Sequence, residues 1–202
     1  MMNADIALQY LIEGNKRYVS AINSDSALPT KLELSPVSEG QTPFAIILGC
    51  SDSRVPAEMV FNCGLGELFV VRVAGNVVEP NQIGSIEFAC QKFGTQLVVV
   101  LGHTHCGAVN ATVSALQSEP ASISPNLASI VDQIAPAVTP VISGKEFENQ
   151  DDLMLRSMRA NVSHSVAGLQ SRSNVLTDLV KEDKLKIVGA EYALESGKVN
   201  FY

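Results

Sequence analysis

The sequence is poor in positive charge: 14 Lys and Arg stand against 21 Asp and Glu, a formal net charge of −7. No Lys/Arg cluster occurs anywhere in it, which argues against a nucleic-acid-binding face. An acidic balance also gives no general pull towards an anionic membrane. Long apolar runs are missing too. Those at Ala45–Leu48 and Leu97–Leu101 are far too short to cross a bilayer. The start, Met1-Met2-Asn3-Ala4-Asp5, lacks a basic stretch followed by an apolar one. No export signal is therefore expected and the cytoplasm is the expected location, although the doubled Met leaves open a leader already removed. Four cysteines in 202 residues are too few for a disulfide scaffold. Charged residues make up only 17% while apolar ones reach 46%, so a packed core is expected rather than disorder.

The length suits one domain with an extension. Asp5–Val19 has apolar residues at roughly helical spacing, and Ser24–Thr42, rich in Ser, Pro and Glu, reads as a surface connection. Residues 1–42 are thus expected to form a helix and arm lying on a partner subunit, and residues 43–202 a single α/β domain. Short apolar runs at Phe44–Leu48, Leu68–Val73, Leu97–Leu101 and from Lys186 suit strands buried on both faces of a parallel sheet. Helical segments are read between them at Pro56–Phe61, Ile83–Phe93, Cys106–Leu116, Asn126–Val138, Asp151–Leu169 and Ser173–Lys181. This alternation predicts an α/β fold: a central, mostly parallel four-stranded sheet flanked by helices. Ser196-Gly197 between two strand-like pieces adds a C-terminal edge strand or hairpin.

Two of the buried runs end alike. One reads Phe44-Ala-Ile-Ile-Leu-Gly49 and then Cys50-Ser-Asp-Ser-Arg54; the other reads Leu97-Val-Val-Val-Leu-Gly102 and then His103-Thr-His-Cys-Gly107. Ligands of open α/β sheets bind beyond the carboxyl ends of the strands. Thiolate and imidazole are good zinc ligands, so Cys50, His103 and Cys106 are candidates for a tetrahedral site with one position left. One helical turn is expected to put His103 and Cys106 on the same side. Asp52, two residues past Cys50, decides that last position. Paired with the fork of Arg54, it accepts a hydrogen bond from a metal-bound water; unpaired, it swings onto the metal as a further ligand. Two thiolates and a neutral His leave a zinc centre without net charge, so activity is expected to rise towards alkaline pH. His105 is expected to point away, at the mouth of the site. His164, Cys63 and Cys90 lack ligand spacing and read as ordinary surface or core residues.

Cys50-Ser-Asp-Ser-Arg-Val55 with Gly102-His-Thr-His-Cys-Gly107 strongly resembles the β-class carbonic anhydrases. Similarity extends to Leu11-Ile-Glu-Gly-Asn15, Gly66–Arg72, Ala74-Gly-Asn76, Gly84–Phe88 and Val188–Tyr192, nearly the whole chain. The resemblance implies one Zn²⁺ per subunit on Cys50, His103 and Cys106, with Asp52 and Arg54 as a catalytic dyad. It implies reversible hydration of carbon dioxide to bicarbonate and a proton, in a homodimer or dimer of dimers. Gln41 would reach the substrate from the neighbouring subunit, Val55 and Phe69 would wall an apolar pocket, and Gly107 would line it. Some bacterial members carry a regulatory bicarbonate pocket of Trp, Arg and Tyr. Arg72 and Tyr192 match it, but Ile47 stands at the Trp position and the chain has no Trp. Relatives often have Asn at the position of Val73. Two other readings remain open: a hydrolase of a related heterocumulene such as carbon disulfide or carbonyl sulfide, and a non-catalytic zinc or redox-switch protein using Cys50 and Cys106.

Overall fold

A computed structural model describes residues 2–24, 38–117 and 123–202. The strands are β1 (Ala45–Gly49), β2 (Leu68–Arg72), β3 (Leu97–His103), β4 (Lys186–Tyr192) and β5 (Val199–Phe201). They form one five-stranded sheet in the order β2-β1-β3-β4-β5. The first four pair in parallel, and β5 returns antiparallel to β4. The expected four-stranded parallel sheet with a C-terminal hairpin is therefore present, its turn carried by Gly197 at φ 70°. Every residue of β1 and β3 is buried, because these strands have neighbours on both sides and helices on both faces.

The helices are α1 (Ala4–Ser24), α2 (Ala57–Val60), α3 (Pro80–Phe93), α4 (Gly107–Gln117), α5 (Pro125–Gly144), α6 (Gln150–Arg172) and α7 (Asn174–Lys181). Alternation along the strands divides the core in two. Ile46, Leu48, Val98 and Val100 face α3 to α7. Ala45, Ile47, Val99 and Leu101 face α1 and α2, meeting Leu11 and Val60. Strand side chains alternate between faces, so one apolar run supplies both layers.

Several boundaries differ from the sequence reading, each for a tertiary reason. The end of β3 runs on to His103 because Gly102 and His103 pair with Glu191 and Tyr192 of β4. Gly102 is needed there: a Cβ would stand 2.5 Å from Val162 and 2.8 Å from the Met158 sulfur on α6. The helix expected to end at Val138 continues past Pro136 and Pro140 to Gly144. Both prolines are exposed, so the carbonyls they leave unpaired can bond water. At 20 residues and a mean hydropathy of 1.2, α5 is by length and composition alone long and apolar enough to cross a bilayer, which the short uninterrupted runs did not suggest.

The N-terminal helix, expected to lie on a partner subunit, packs along one face on this chain's own sheet. Leu11 is fully buried there. Asn15 Nδ2 donates to the carbonyls of Val60 at 3.0 Å and Gly197 at 2.9 Å, while its Oδ1 accepts from the Val199 amide at 2.9 Å. Gly14 lets the helix come this close, since a Cβ would lie 1.9 Å from the Phe61 carbonyl oxygen. Most of the connecting arm, residues 25–37, lies outside the described residues.

Candidate metal centre

The strand order reverses at β1 and β3: the chain steps from β1 to β2 on one side, then returns to place β3 on the other. A crevice forms beyond the carboxyl ends at such a switch point. Cys50 leaves β1 there and His103 ends β3 beside it. Cys106 arrives by a tight turn rather than a helical one. His105 adopts a left-handed φ of 55°, and Cys106 then stands just before α4, its carbonyl accepting from the Asn110 amide at 3.0 Å. The sulfurs of Cys50 and Cys106 and one ring nitrogen of His103 all lie within 4.8 Å of one another. A tetrahedron with Zn–S of about 2.3 Å and Zn–N of about 2.0–2.1 Å has edges of roughly 3.5–3.8 Å. The donor set is close enough together to suit such a site.

The tautomer of His103 supports this fit. Its Nδ1 lies 2.9 Å from the Thr104 carbonyl, which can only accept, so Nδ1 carries the proton. The Nε2 lone pair is therefore free. That atom is buried and has no hydrogen-bond partner among the described residues, a costly arrangement unless a metal takes it. The two cysteines are a tightly linked pair. The Cys106 thiol donates to Cys50, and with the amides of Gly75 and Asp52 it holds the Cys50 thiol far below its ordinary range. Cys106 is pushed up by the same contact and by burial. A cation would replace that shared proton.

Asp52 stands beside the cluster and outside it. Arg54 Nε donates to its Oδ1 at 2.9 Å, Arg54 Nη2 to its Oδ2 at 2.7 Å, and the Arg54 amide to Oδ1 at 3.0 Å. These bonds hold the Asp52 carboxyl well below the usual carboxylate range. Its Oδ2 lies 3.9 Å from His103 Nε2, so the carboxylate borders the metal position while both oxygens face Arg54. The structure thus holds Asp52 in the paired arrangement, outside the group of three converging donors. Arg54 also donates from Nη2 to the His105 carbonyl at 3.3 Å, tying the two strand-end loops together.

The other candidates are scattered. Gln41 is exposed at the end of the arm. Val55 is sealed with Ala57 and Val60 on the α1 face. Phe69 lies on the opposite face, stacked near Phe88 and Phe93 with ring centroids 6.2 and 6.1 Å away. A single chain therefore does not bring Val55 and Phe69 together as two walls of one pocket. Gly107 opens α4 and has nothing within 4 Å of a built Cβ. A cavity of about 300 Å³ does open beside Cys106, lined partly by Val109, Met154, Leu155 and Met158. His105 and Glu195 sit at its edge, paired at 2.6 Å. Arg72 donates to the carbonyls of Cys50 at 2.9 Å and Asp52 at 2.6 Å, bracing their loop. Ile47 is sealed in the core, and Tyr192 shares a 3.1 Å hydrogen bond with Tyr18. Cys63 and Cys90 are buried away from the cluster, and burial pushes both thiols up to about 12.

Sequence reasoning passed over one contributor. The Gly75 amide donates to Cys50 Sγ at 3.4 Å from a 3₁₀ turn, Ala74–Asn76, that follows β2. The turn was visible only as a stretch of family likeness. Its hydrogen bond depends on a left-handed φ of 69° at Gly75.

A family model described as carbonic anhydrase matches residues 45–199, spanning the sheet and all three clustered donors. The chain belongs to the β-class carbonic anhydrases. Carbonic anhydrase 2 of Mycobacterium tuberculosis is 35% identical over 198 residues, covering 97% of this chain and 91% of that one. The carbonic anhydrase of Mycolicibacterium smegmatis is 36% identical over 206 residues, covering 98% and 92%. The solved β-carbonic anhydrase CcaA superposes with a TM-score of 0.75 at 25% identity, over 96% of this chain and 87% of that one. As a carbonic anhydrase, the chain is a zinc enzyme that interconverts carbon dioxide and bicarbonate, and a Cys-His-Cys donor set capable of holding the metal is present.

Proposed function

We propose that this carbonic anhydrase works through Cys50, His103 and Cys106 as zinc ligands and Asp52 with Arg54 as a catalytic dyad. The observation that carries the reading is the convergence of three buried donor atoms with the doubly clamped Asp52 carboxylate at their border. When bound, zinc supplies a Lewis acid that makes a water nucleophilic at usable pH. Asp52, ionised and acceptor-only, takes a hydrogen bond from that water and fixes where its reactive lone pair points. Arg54 keeps the carboxylate in that role, because a released Asp52 has reach enough to compete for the metal. Arg72 holds the carbonyls of the same loop, so Cys50 and Asp52 keep their spacing as charge shifts during the reaction. With Asp52 committed to Arg54, the released proton passes to external buffer.

We further infer a homo-oligomer, with Gln41 and Gly107 as substrate contacts and Phe69 as apolar lining. The support is an exposed aromatic surface: Phe88, 52% exposed, beside Phe69 near β2, which is an edge strand of the sheet among the described residues. Solved relatives from Sordaria macrospora, described as tetrameric, share the fold at a TM-score of 0.75 and 20% identity, over 96% of this chain and 95% of those. The buried place of Val55 supports packing beneath the dyad loop rather than contact with substrate.

Stopped-flow carbon dioxide hydration of Arg54→Ala, with zinc counted in the same sample, tests the dyad. Turnover is expected to fall by about 100-fold with zinc retained, the lower range for losing a positioned acid–base group. Full turnover in a zinc-loaded variant removes Arg54 from the mechanism. Running carbonyl sulfide beside carbon dioxide in the wild type separates the heterocumulene reading.

A further inference from the structure

Three polar residues, Ser157, Asn161 and Ser165, lie one turn apart along α6, and all are at most 2% exposed. A helix face turned into a core is normally apolar. The stripe packs against the Ala74–Asn76 turn. Asn161 Nδ2 donates to the Gly75 carbonyl at 2.8 Å, and Ser165 Oγ donates to the Asn76 carbonyl at 3.0 Å. The Gly75 carbonyl can only accept, which fixes the orientation of the Asn161 amide. Gly75 itself is pressed from the far side, where a Cβ would meet Ile134 at 2.7 Å and Ala108 at 3.0 Å. α6 therefore grips the residue whose amide donates to the Cys50 sulfur.

Asn161 is only half satisfied where it sits. Its Oδ1 is buried without a hydrogen-bond partner among the described residues, as is Ser157 Oγ. An apolar side chain of the same shape would remove that penalty and leave the Gly75 carbonyl without its donor instead. What the amide delivers is one bond, to Gly75.

We propose that Asn161 is a positioning residue for the metal centre: by holding the Gly75 carbonyl from α6, it keeps the Gly75 N–H on the Cys50 sulfur and so sets how strongly that thiolate donates to zinc. The proposal rests on Cys50 being a zinc ligand. An N–H bonded to a thiolate draws electron density from it, and partners of this outer kind shift metal affinity by about 10–100-fold.

The test compares wild type, Asn161→Leu and Asn161→Gln. Zinc affinity is measured by chelator competition, and the sulfur-to-metal charge-transfer band is recorded after cobalt(II) replaces zinc. Asn161→Leu is expected to stay folded without metal, to shift zinc affinity by about ten-fold, and to show the cobalt band at lower energy. Asn161→Gln, which keeps an amide donor, is expected to recover part of both changes. An unchanged band and affinity in folded Asn161→Leu overturns the proposal, and so does an equal shift in Asn161→Gln. If Asn161→Leu does not fold, Asn161→Ser is read in its place against the same two outcomes. A wild type without any sulfur-to-cobalt band counts instead against the ligand assignment.

Discussion

Replacing Gly75 by Ala adds one methyl group at the point where the sheet, α4, α5 and the metal centre meet. Two costs follow from the geometry. The residue has φ 69° and ψ 17°, a left-handed conformation that costs an L-residue about 1–2 kcal/mol. The new Cβ would stand 2.7 Å from Ile134 Cδ1 and 3.0 Å from Ala108 Cβ, and Ile134 is fully buried with little room to yield. Overpacking of this kind costs about 1–3 kcal/mol. Together they come to about 2–5 kcal/mol. For a domain of this size each kcal/mol moves the melting temperature by about 2–4 °C, so a drop of about 4–20 °C is expected. The melt is followed by circular dichroism on metal-free protein, so that zinc binding does not add to the difference. Gly84→Ala is the matched control. Gly84 lies within α3 and has nothing within 4 Å of a built Cβ, so the change is expected to stabilise by about 0.4–1 kcal/mol. A Gly75→Ala protein melting within 2 °C of wild type (roughly the effect of half to one kcal/mol) would refute both the strain and the packing argument.

Two further outcomes are expected. Arg159 donates to both oxygens of buried Glu191, at 2.5 and 2.8 Å, and holds its carboxyl below the ordinary range. A depressed folded-state value stabilises fully above the unfolded carboxylate value of about 4.3 and is lost as pH falls through the folded value. Glu191→Gln is therefore expected to lower the urea midpoint at pH 7 and to approach wild type in acid; a pH-independent difference contradicts this. Sedimentation at assay concentration is expected to show a dimer or larger species, and a fully active monomer removes the cross-subunit role proposed for Gln41.

The sheet was legible because β1 and β3 are buried on both faces, and such strands advertise themselves as unbroken apolar runs closed by Gly. The donors were legible because each follows one of those strands directly, which sends it to the carboxyl edge. Harder to read was anything set by distant contact. The seat of α1 on its own sheet depends on Asn15 bonding backbone groups near Val60 and Gly197, far apart in sequence. The approach of His103 to Cys106 looked helical from spacing, yet it is made by the left-handed turn at His105. The grip of Asn161 on Gly75 joins residues 86 positions apart, and no local pattern announces it. Phe69 and Val55 share an apolar character in sequence, but opposite faces of the sheet receive them.

The account depends above all on one cation seated between two sulfurs and one imidazole. Zinc-edge X-ray absorption on the purified protein, with metal counted per chain, reads that seat directly. One zinc per chain with two sulfur neighbours at about 2.3 Å and one nitrogen at about 2.0–2.1 Å is the predicted result. Absence of sulfur from the first coordination shell, or a shell of three or four sulfurs that draws in Cys63 or Cys90, would contradict it.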